Sequence, residues 1–218
     1  MSEARDVLLR RVAQATEGVR DADPDAAYQD LPRAYRTSAD ETGAALLGLL
    51  EERLVDYGVD VLRTRSRDLA GAIAGELTRL RAARVVLPAG APAAWRLALE
   101  GRAIVPADAG PFELDTADAT LSGCAVAVAE TGTLVLDAAP DQGRRAATLV
   151  PDVHLCVVAA SQVVRLVPEA TRRLHDAARA GAAFTWISGP SATSDIELVR
   201  VAGVHGPRRL IVLLVEDD

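Results

Sequence analysis

The chain has 218 residues, of which 50% are hydrophobic and 25% charged, enough to bury the core of one sizeable α/β domain with a small N-terminal appendage. Its 31 acidic residues outnumber the 24 lysines and arginines, and the net charge of −7 argues against a nucleic-acid-binding protein, which needs a basic face for phosphates. Two cysteines and three histidines, spread along the chain, are too few to predict a self-contained iron–sulfur or zinc centre.

The N-terminal segment is predicted to be a helix followed by an irregular arm. Apolar residues recur at helical spacing over 4–14, whereas the polar stretch 16–37 contains two prolines and has little core of its own. No signal peptide and no bilayer-spanning apolar run is evident, so we expect a soluble, cytoplasmic protein. We divide the chain into this helix and arm, residues 1–37, and an α/β domain, residues 38–218.

From residue 38 onward the sequence predicts alternating helices and strands. Predicted helices cover 38–57, opened by a capping box at 38–41, then 67–81, a segment around Trp95, 115–121, 142–149 and 168–179. Predicted strands cover 59–62, 85–87, 104–105, 124–129, 134–136, 155–158, 184–187 and 210–215. Because apolar strands alternating with helices are typical of sheets covered on both faces, we predict an α/β fold with a mostly parallel central sheet flanked by helices.

Four residues that attract notice are predicted to be structural. Cys124 and Cys156 stand in apolar strand-like runs, which predicts buried free thiols rather than a disulfide. Trp95 and Trp186 are predicted core residues, because the chain has few aromatic side chains with which to fill its interior.

The segment 188–207 combines three glycines, two prolines and a histidine immediately before the final strand. Its S-x-x-E sequence at 194–197 fits a capping box, which by itself explains the hydroxyl-rich start of a helix. A binding function is equally compatible, because Gly189, Ser191 and Thr193 precede that helix start, where free N–H groups favour a phosphate or carboxylate. Both interpretations stay open at this point.

Two basic positions are further candidates for ligand contact. His205 lies between Gly203 and Gly206 and can approach a ligand closely, although a histidine in such a turn is more often a structural hydrogen-bonding residue. Arg144, in the Gly-Arg-Arg sequence that opens a predicted helix, can clamp an anion, although most exposed arginines are solvated. His154 shares a strand face with Asp152, but this pair lacks further metal ligands.

Glu130 follows an apolar strand and precedes Thr-Gly. A carboxylate at the end of a strand in an α/β sheet is placed where ligands usually bind, and it can act as a base or a nucleophile. The local spacing favours a different interpretation, in which 130–133 is a hairpin turn with a positive φ at Gly132.

Four motifs occur in order over about 80 residues near the C-terminus. They are A-E-T-G-T-L-V-L at 129–136, L-V-P-D-V-H at 149–154, S-G-P-S-A-T-S-D-I-E at 188–197 and G-V-H-G-P at 203–207, with a looser match at 114–123. Together they resemble the LUD-domain family and, more narrowly, its LutC-type members, the lactate utilization protein C group. Four ordered motifs are far more specific than any one of them.

The resemblance implies a fold similar to the NagB/RpiA/CoA-transferase-like group. It also implies membership of a three-protein system that oxidises L-lactate to pyruvate, in which iron–sulfur partner proteins carry the electrons. This fits a chain with two cysteines, which holds no cluster of its own. The 130–132 sequence is similar to the Glu-Asn-Gly stretch that bears the nucleophilic glutamate of class I CoA transferases, with Thr131 in place of the asparagine.

Three functional hypotheses follow. The first is a lactate-utilization subunit that works with iron–sulfur proteins and binds a small carboxylate or anion; its candidate ligand-binding residues are Gly132, Arg144, Gly189, Ser191, Thr193 and His205. The second is a CoA-transferase-like or phosphoryl-transfer enzyme in which Glu130 is the catalytic residue. The third is a non-catalytic assembly module whose 16–37 arm docks on a partner.

Overall fold

The computed structural model describes residues 2–17, 23–40, 42–194, 200–203 and 205–216, and the chain divides into two units, 1–35 and 36–218. The first unit contains helices α1 (Ser2–Ala15) and α2 (Pro24–Gln29). The second helix is capped by Asp23, whose Oδ1 accepts the N–H groups of Asp25 and Ala26 at 3.1 Å. Part of the predicted irregular arm is therefore a short capped helix.

The second unit holds the remaining helices and strands. Its described helices are α3 (Gly43–Asp56), α4 (Leu69–Arg79), α5 (Ala93–Ala98), α6 (Pro111–Leu114), α7 (Arg145–Leu149), α8 (Val167–Arg173) and α9 (His175–Arg179). Its described strands are β1 (Asp60–Arg65), β2 (Arg84–Leu87), β3 (Ala103–Pro106), β4 (Ala119–Ser122), β5 (Val126–Val128), β6 (Thr133–Leu136), β7 (Val153–Ala159), β8 (Val163–Val164), β9 (Thr185–Ile187), β10 (Ala192–Ser194), β11 (Arg200–Ala202) and β12 (Arg209–Glu216).

Six strands form the central sheet, in the order β1-β12-β7-β4-β2-β3, and every neighbouring pair is parallel. Alternate residues of β12 enter two different hydrophobic cores, because successive side chains of a strand point to opposite faces. One core contains the buried face of α3, and the other contains α4 and Trp95. The predicted α/β fold, with a parallel central sheet flanked by helices, is confirmed.

A smaller four-stranded sheet, in the order β8-β5-β6-β9, lies beside the central one. Its β5 and β6 pair as an antiparallel hairpin, and residues of both strands share a core with α3 and the central strands. Val126, Val128 and Val135 point to the other face and pack with α8. Strands β5 and β6 of the smaller sheet are therefore buried on both faces, like the inner strands of the central sheet.

Three sequence predictions fail locally. The helix predicted from residue 38 begins at Gly43 instead, with Thr42 as its N-terminal flanking residue. The helix predicted over 115–121 is wrong, because β4 occupies the slot between β2 and β7 and is buried along its whole length. The predicted core residue Trp186 is 44% exposed, whereas Trp95 is buried as expected.

Within the described part of the chain, no helix has the length and apolar character required to cross a bilayer.

Candidate functional site

A cavity of about 240 Å³ lies between β9, the loop before β12 and helix α7. We call it the His154 cavity, and its lining consists of residues 185–191 and 205–207 together with Arg145, Thr148, Leu149, His154 and Leu210. Three of the predicted ligand-binding residues, Gly189, Ser191 and His205, meet here. Residues 188–191 and 205–207, which belong to two of the motifs, thus form one wall.

His154 is the most unusual group in this lining. It sits on β7 inside the central sheet, is only 1% exposed, and its Nε2 lies 2.7 Å from Ser122 Oγ. No described residue forms a hydrogen bond with its Nδ1. Burial lowers the pKa of His154 to about 4, so the imidazole is neutral at physiological pH. A neutral imidazole at a cavity wall can donate one hydrogen bond to a ligand or accept one from it.

Ser191 ties the two loops of the cavity wall together. Its N–H donates to the Pro207 carbonyl at 2.8 Å, and its own carbonyl accepts the Gly203 N–H at 2.8 Å. Its Oγ accepts the backbone N–H of His205 at 3.1 Å, which leaves the hydroxyl proton available to donate. His205 itself is exposed at the cavity edge.

Arg145 brings the positive charge of this cavity. It is the first residue of α7, its side chain is exposed, and it forms no ion pair with any described carboxylate. The cavity therefore combines a guanidinium that no described acid pairs, a buried neutral imidazole and a serine hydroxyl, with the half-exposed Trp186 as an aromatic wall. These are the groups that recognise a small carboxylate bearing a neighbouring oxygen.

Gly132 and Gly189 both lie against the last turns of α3. A Cβ added at Gly132 would lie 2.9 Å from Arg53 Cβ, and one added at Gly189 would lie 2.8 Å from Tyr57 Cβ. Both glycines have positive φ, 58° and 91°, so the positive φ expected at the 130–133 turn is observed. The absent side chains make room for α3 at these two positions.

Glu130 sits in the turn of the β5–β6 hairpin, which belongs to the smaller sheet rather than to the carboxyl edge of the central sheet. Its Oε1 lies 2.8 Å from Arg36 Nη2 and its Oε2 lies 3.4 Å from Arg165 Nε. A chain of hydroxyl contacts, Thr131 to Thr133 and Thr133 to Ser188, each 2.8 Å long, links this turn to the cavity wall. Glu130 itself is outside the cavity lining.

The remaining two predicted residues lie elsewhere. Arg144 lines a different cavity, described below, although it is adjacent to Arg145 in sequence. Thr193 lies in β10, which pairs with β11 as an antiparallel ribbon. The helix predicted to start at Ser194 falls on 195–199, outside the described residues.

Ser122 is not among the sequence candidates, Trp186 is predicted to be a core residue, and Arg145 belongs to the Gly-Arg-Arg sequence at 143–145 that can clamp an anion. Arg145 carries the same local signal as Arg144, so only its position on α7 distinguishes them. Ser122 meets His154 because β4 and β7 are neighbours in the sheet, 32 residues apart in sequence. No local pattern identifies such a pair.

The two cysteines are free and buried, as predicted. The pKa of Cys156 is raised well above its ordinary value, by hydrogen bonding with the Cys124 thiol and by burial. Cys156 is therefore protonated at physiological pH and is a poor nucleophile. Among the described residues, no group of three or more His, Cys, Asp or Glu side chains is arranged to hold a metal ion.

The parallel sheet, the hairpin sheet beside it and the cavity between α7 and the C-terminal loops define an α/β protein with a site suited to a small anion. The LUD domain model matches residues 112–215. Lactate utilization protein C of Deinococcus radiodurans is 46% identical over 217 residues, which cover 98% of this chain and 96% of that protein. The chain belongs to the LUD-domain family, in its lactate utilization protein C group.

Two further similarities support this assignment. Lactate utilization protein C of Halalkalibacterium halodurans is 28% identical over the full length of both chains. A crystal structure of a DUF162 family protein from D. radiodurans superposes with a TM-score of 0.70 at 42% identity, covering 81% of this chain and 99% of that one. The fold over 81% of this chain is therefore shared with a solved relative.

Proposed function

We propose that the protein is a subunit of an L-lactate utilization system, in which L-lactate is oxidised to pyruvate with iron–sulfur partner proteins, and that its His154 cavity binds the small carboxylate. The relatives named lactate utilization protein C support the pathway. The observation that carries the binding proposal is the cavity's combination of the Arg145 guanidinium, which no described carboxylate pairs, with a buried neutral imidazole at His154.

The two groups suit the two ends of a 2-hydroxy or 2-oxo acid. Arg145 supplies the charge and the forked N–H donors that a carboxylate prefers, and no described acidic residue neutralises it. The Nδ1 atom of His154 can form a hydrogen bond with the hydroxyl or keto oxygen, and the contact with Ser122 holds the ring in place. The Ser191 hydroxyl is a second donor in the same wall. A volume of about 240 Å³ suits a molecule of this size.

Isothermal titration calorimetry of the full chain tests the binding proposal. L-Lactate and pyruvate should bind saturably, and Arg145→Gln should weaken binding about tenfold, since it removes a charge-assisted contact. Arg179→Gln is the matched control, because Arg179 is an exposed arginine of α9 outside the cavity, and it should bind like the parent protein. Absence of saturable binding of both acids, or equal binding by the two variants, would refute the site.

The subunit proposal has its own test. Adding the protein to its iron–sulfur partners should raise L-lactate-dependent electron transfer, and a strain lacking the gene should grow poorly on L-lactate until it is restored. Equal electron transfer with and without this chain would remove it from the system. Failure of this test is distinguishable from failure of the binding proposal, because the calorimetry uses this chain alone.

A further inference from the structure

A second, larger cavity of about 470 Å³ lies at the carboxyl ends of β2 and β3. We call it the carboxyl-edge cavity, and its walls come from residues 87–89, 106–108 and 138–140, with Arg96, Ile104, Gly143 and Arg144. It shares none of these residues with the His154 cavity.

The topology places this cavity beside the crevice of the sheet. The chain leaves β2 toward β3 on one side, and it leaves β4 through the smaller sheet toward β7 on the other side. Neighbouring strands whose connections depart in opposite directions open a crevice at their carboxyl ends, which is where open α/β sheets bind ligands. The loop 137–143 sits over this crevice and is fixed there: Gly90 N–H donates to the Pro140 carbonyl at 3.0 Å and Gly123 N–H to the Asp141 carbonyl at 3.1 Å.

Arg144 is held in place by backbone carbonyls rather than by acids. Its Nε donates to the Ala107 carbonyl at 3.1 Å and its Nη2 donates to the Ala109 carbonyl, and no described carboxylate pairs with it. Neutral acceptors fix the guanidinium without cancelling its charge, which pre-organises a cation at the cavity wall. Arg96, on α5, adds a second guanidinium that no described acid pairs.

The balance of charge and apolar surface defines the ligand class. Two arginines and one aspartate, Asp108, leave the lining with one net positive charge. The rest of the wall is proline, alanine, leucine, isoleucine and glycine, which provides few hydrogen-bonding side chains for a sugar. We infer that the carboxyl-edge cavity binds an apolar organic monocarboxylate larger than lactate, with its carboxylate between Arg96 and Arg144. This site goes beyond the proposed function and does not depend on it.

Fluorescence titration with 8-anilinonaphthalene-1-sulfonate, an apolar monoanion, tests the inference on the full folded chain. The dye should bind with a single saturable phase, and Arg96→Met should raise its dissociation constant about tenfold. The Arg96 side chain is exposed and makes no hydrogen bond or ion pair with a described residue, so this variant should fold normally, as circular dichroism can verify. Arg179→Met, an exposed arginine outside the cavity, should leave dye binding within twofold.

Competition separates the ligand classes. Benzoate should displace the dye at least tenfold more effectively than acetate, which lacks the apolar body, and than phenyl phosphate, which carries excess negative charge. Equal displacement by acetate would show that the apolar walls contribute nothing, and better displacement by phenyl phosphate would make the site one for phosphate esters. Unchanged dye affinity in Arg96→Met would overturn the site.

Discussion

The central sheet and the smaller sheet stabilise polar groups in opposite ways. In the central sheet, His154 is buried and neutral, contacts a serine hydroxyl, and has no charged partner among the described residues. At the edge of the smaller sheet, Glu130 pairs with two arginines, and Glu169 accepts backbone N–H groups that help to lower its pKa. The difference shows which groups are available to a ligand. The two carboxylates already have partners, whereas the Nδ1 atom of His154 has no hydrogen bond with a described residue.

Side chains near the edge of the smaller sheet hold residues 36–39 against the rest of the second unit. Glu130 pairs with Arg36, Glu169 accepts the Ala39 N–H at 3.2 Å, and Arg172 donates to the Thr37 carbonyl. Three contacts from three different side chains on four consecutive residues form a clamp. A structural explanation for Glu130 is thus complete without catalysis, and its catalytic role stays a prediction.

The largest expected effect concerns the close approach of α3 to the smaller sheet. We expect Gly189→Ala to lower the free energy of unfolding by about 3 kcal/mol, since the added methyl group meets Tyr57 at 2.8 Å and φ is 91°. Gly181→Ala is the matched control, with φ of 82° and nothing within 4 Å, and should lose only about 1 kcal/mol. Denaturant unfolding measures both losses. Equal losses would mean that backbone strain alone destabilises Gly189→Ala and that the contact with Tyr57 adds nothing.

The second prediction concerns how protonation of His154 changes stability with pH. Its folded-state pKa of about 4 lies below the ordinary histidine value of 6.5, so the unfolded state binds more protons between these values and stability falls as pH drops through that window. From pH 7 to pH 5 this costs about 2 kcal/mol. His154→Gln should lose that part of the pH dependence in urea unfolding. Identical pH slopes in the two proteins would mean that His154 does not titrate this way.

A smaller effect is expected at Glu169. Burial raises its pKa, but hydrogen bonds from the N–H groups of Leu166, Ala39 and Arg165 outweigh burial, so the pKa is lowered overall. The contribution of Glu169 to the free energy of unfolding is fully present above its pKa in the unfolded state. It is lost as pH falls through its pKa in the folded state. Glu169→Gln should therefore cost about 1 kcal/mol at pH 7 and speed amide exchange at Ala39.

Glu113→Gln, at an exposed position in α6, is the control for Glu169→Gln and should change neither quantity. Unchanged exchange at Ala39 in Glu169→Gln would show that this contact does not hold the segment.

The smallest effect is expected at Glu130. Both of its ion pairs are partly exposed, so Glu130→Gln should lower stability by less than about 1 kcal/mol, and added salt should reduce the difference. The same variant tests catalysis: a stable Glu130→Gln protein that no longer supports growth on L-lactate would establish a chemical role. Normal growth would leave the carboxylate as part of the clamp.

Much of the fold was predictable because its signals are local. The apolar runs of β2, β7 and β12 and the glycine at the 130–133 turn follow from residue type and spacing, and the ordered motifs indicated the family. The run at 119–122 was misassigned, since four residues with mixed propensities become a strand only through the slot between β2 and β7.

For the candidate site too, local features were predictable from the sequence and long-range contacts were not. The sequence by itself determined that the loops at 188–191 and 203–207 are specialised, and Gly189, Ser191 and His205 do share a cavity. Only the tertiary structure decided that Arg144 and Arg145 enter different cavities, that Glu130 belongs to the smaller sheet, and that His154 is buried against Ser122. The physical reason is that strand pairing and helix packing join residues far apart in sequence, and these contacts set burial, charge and pKa.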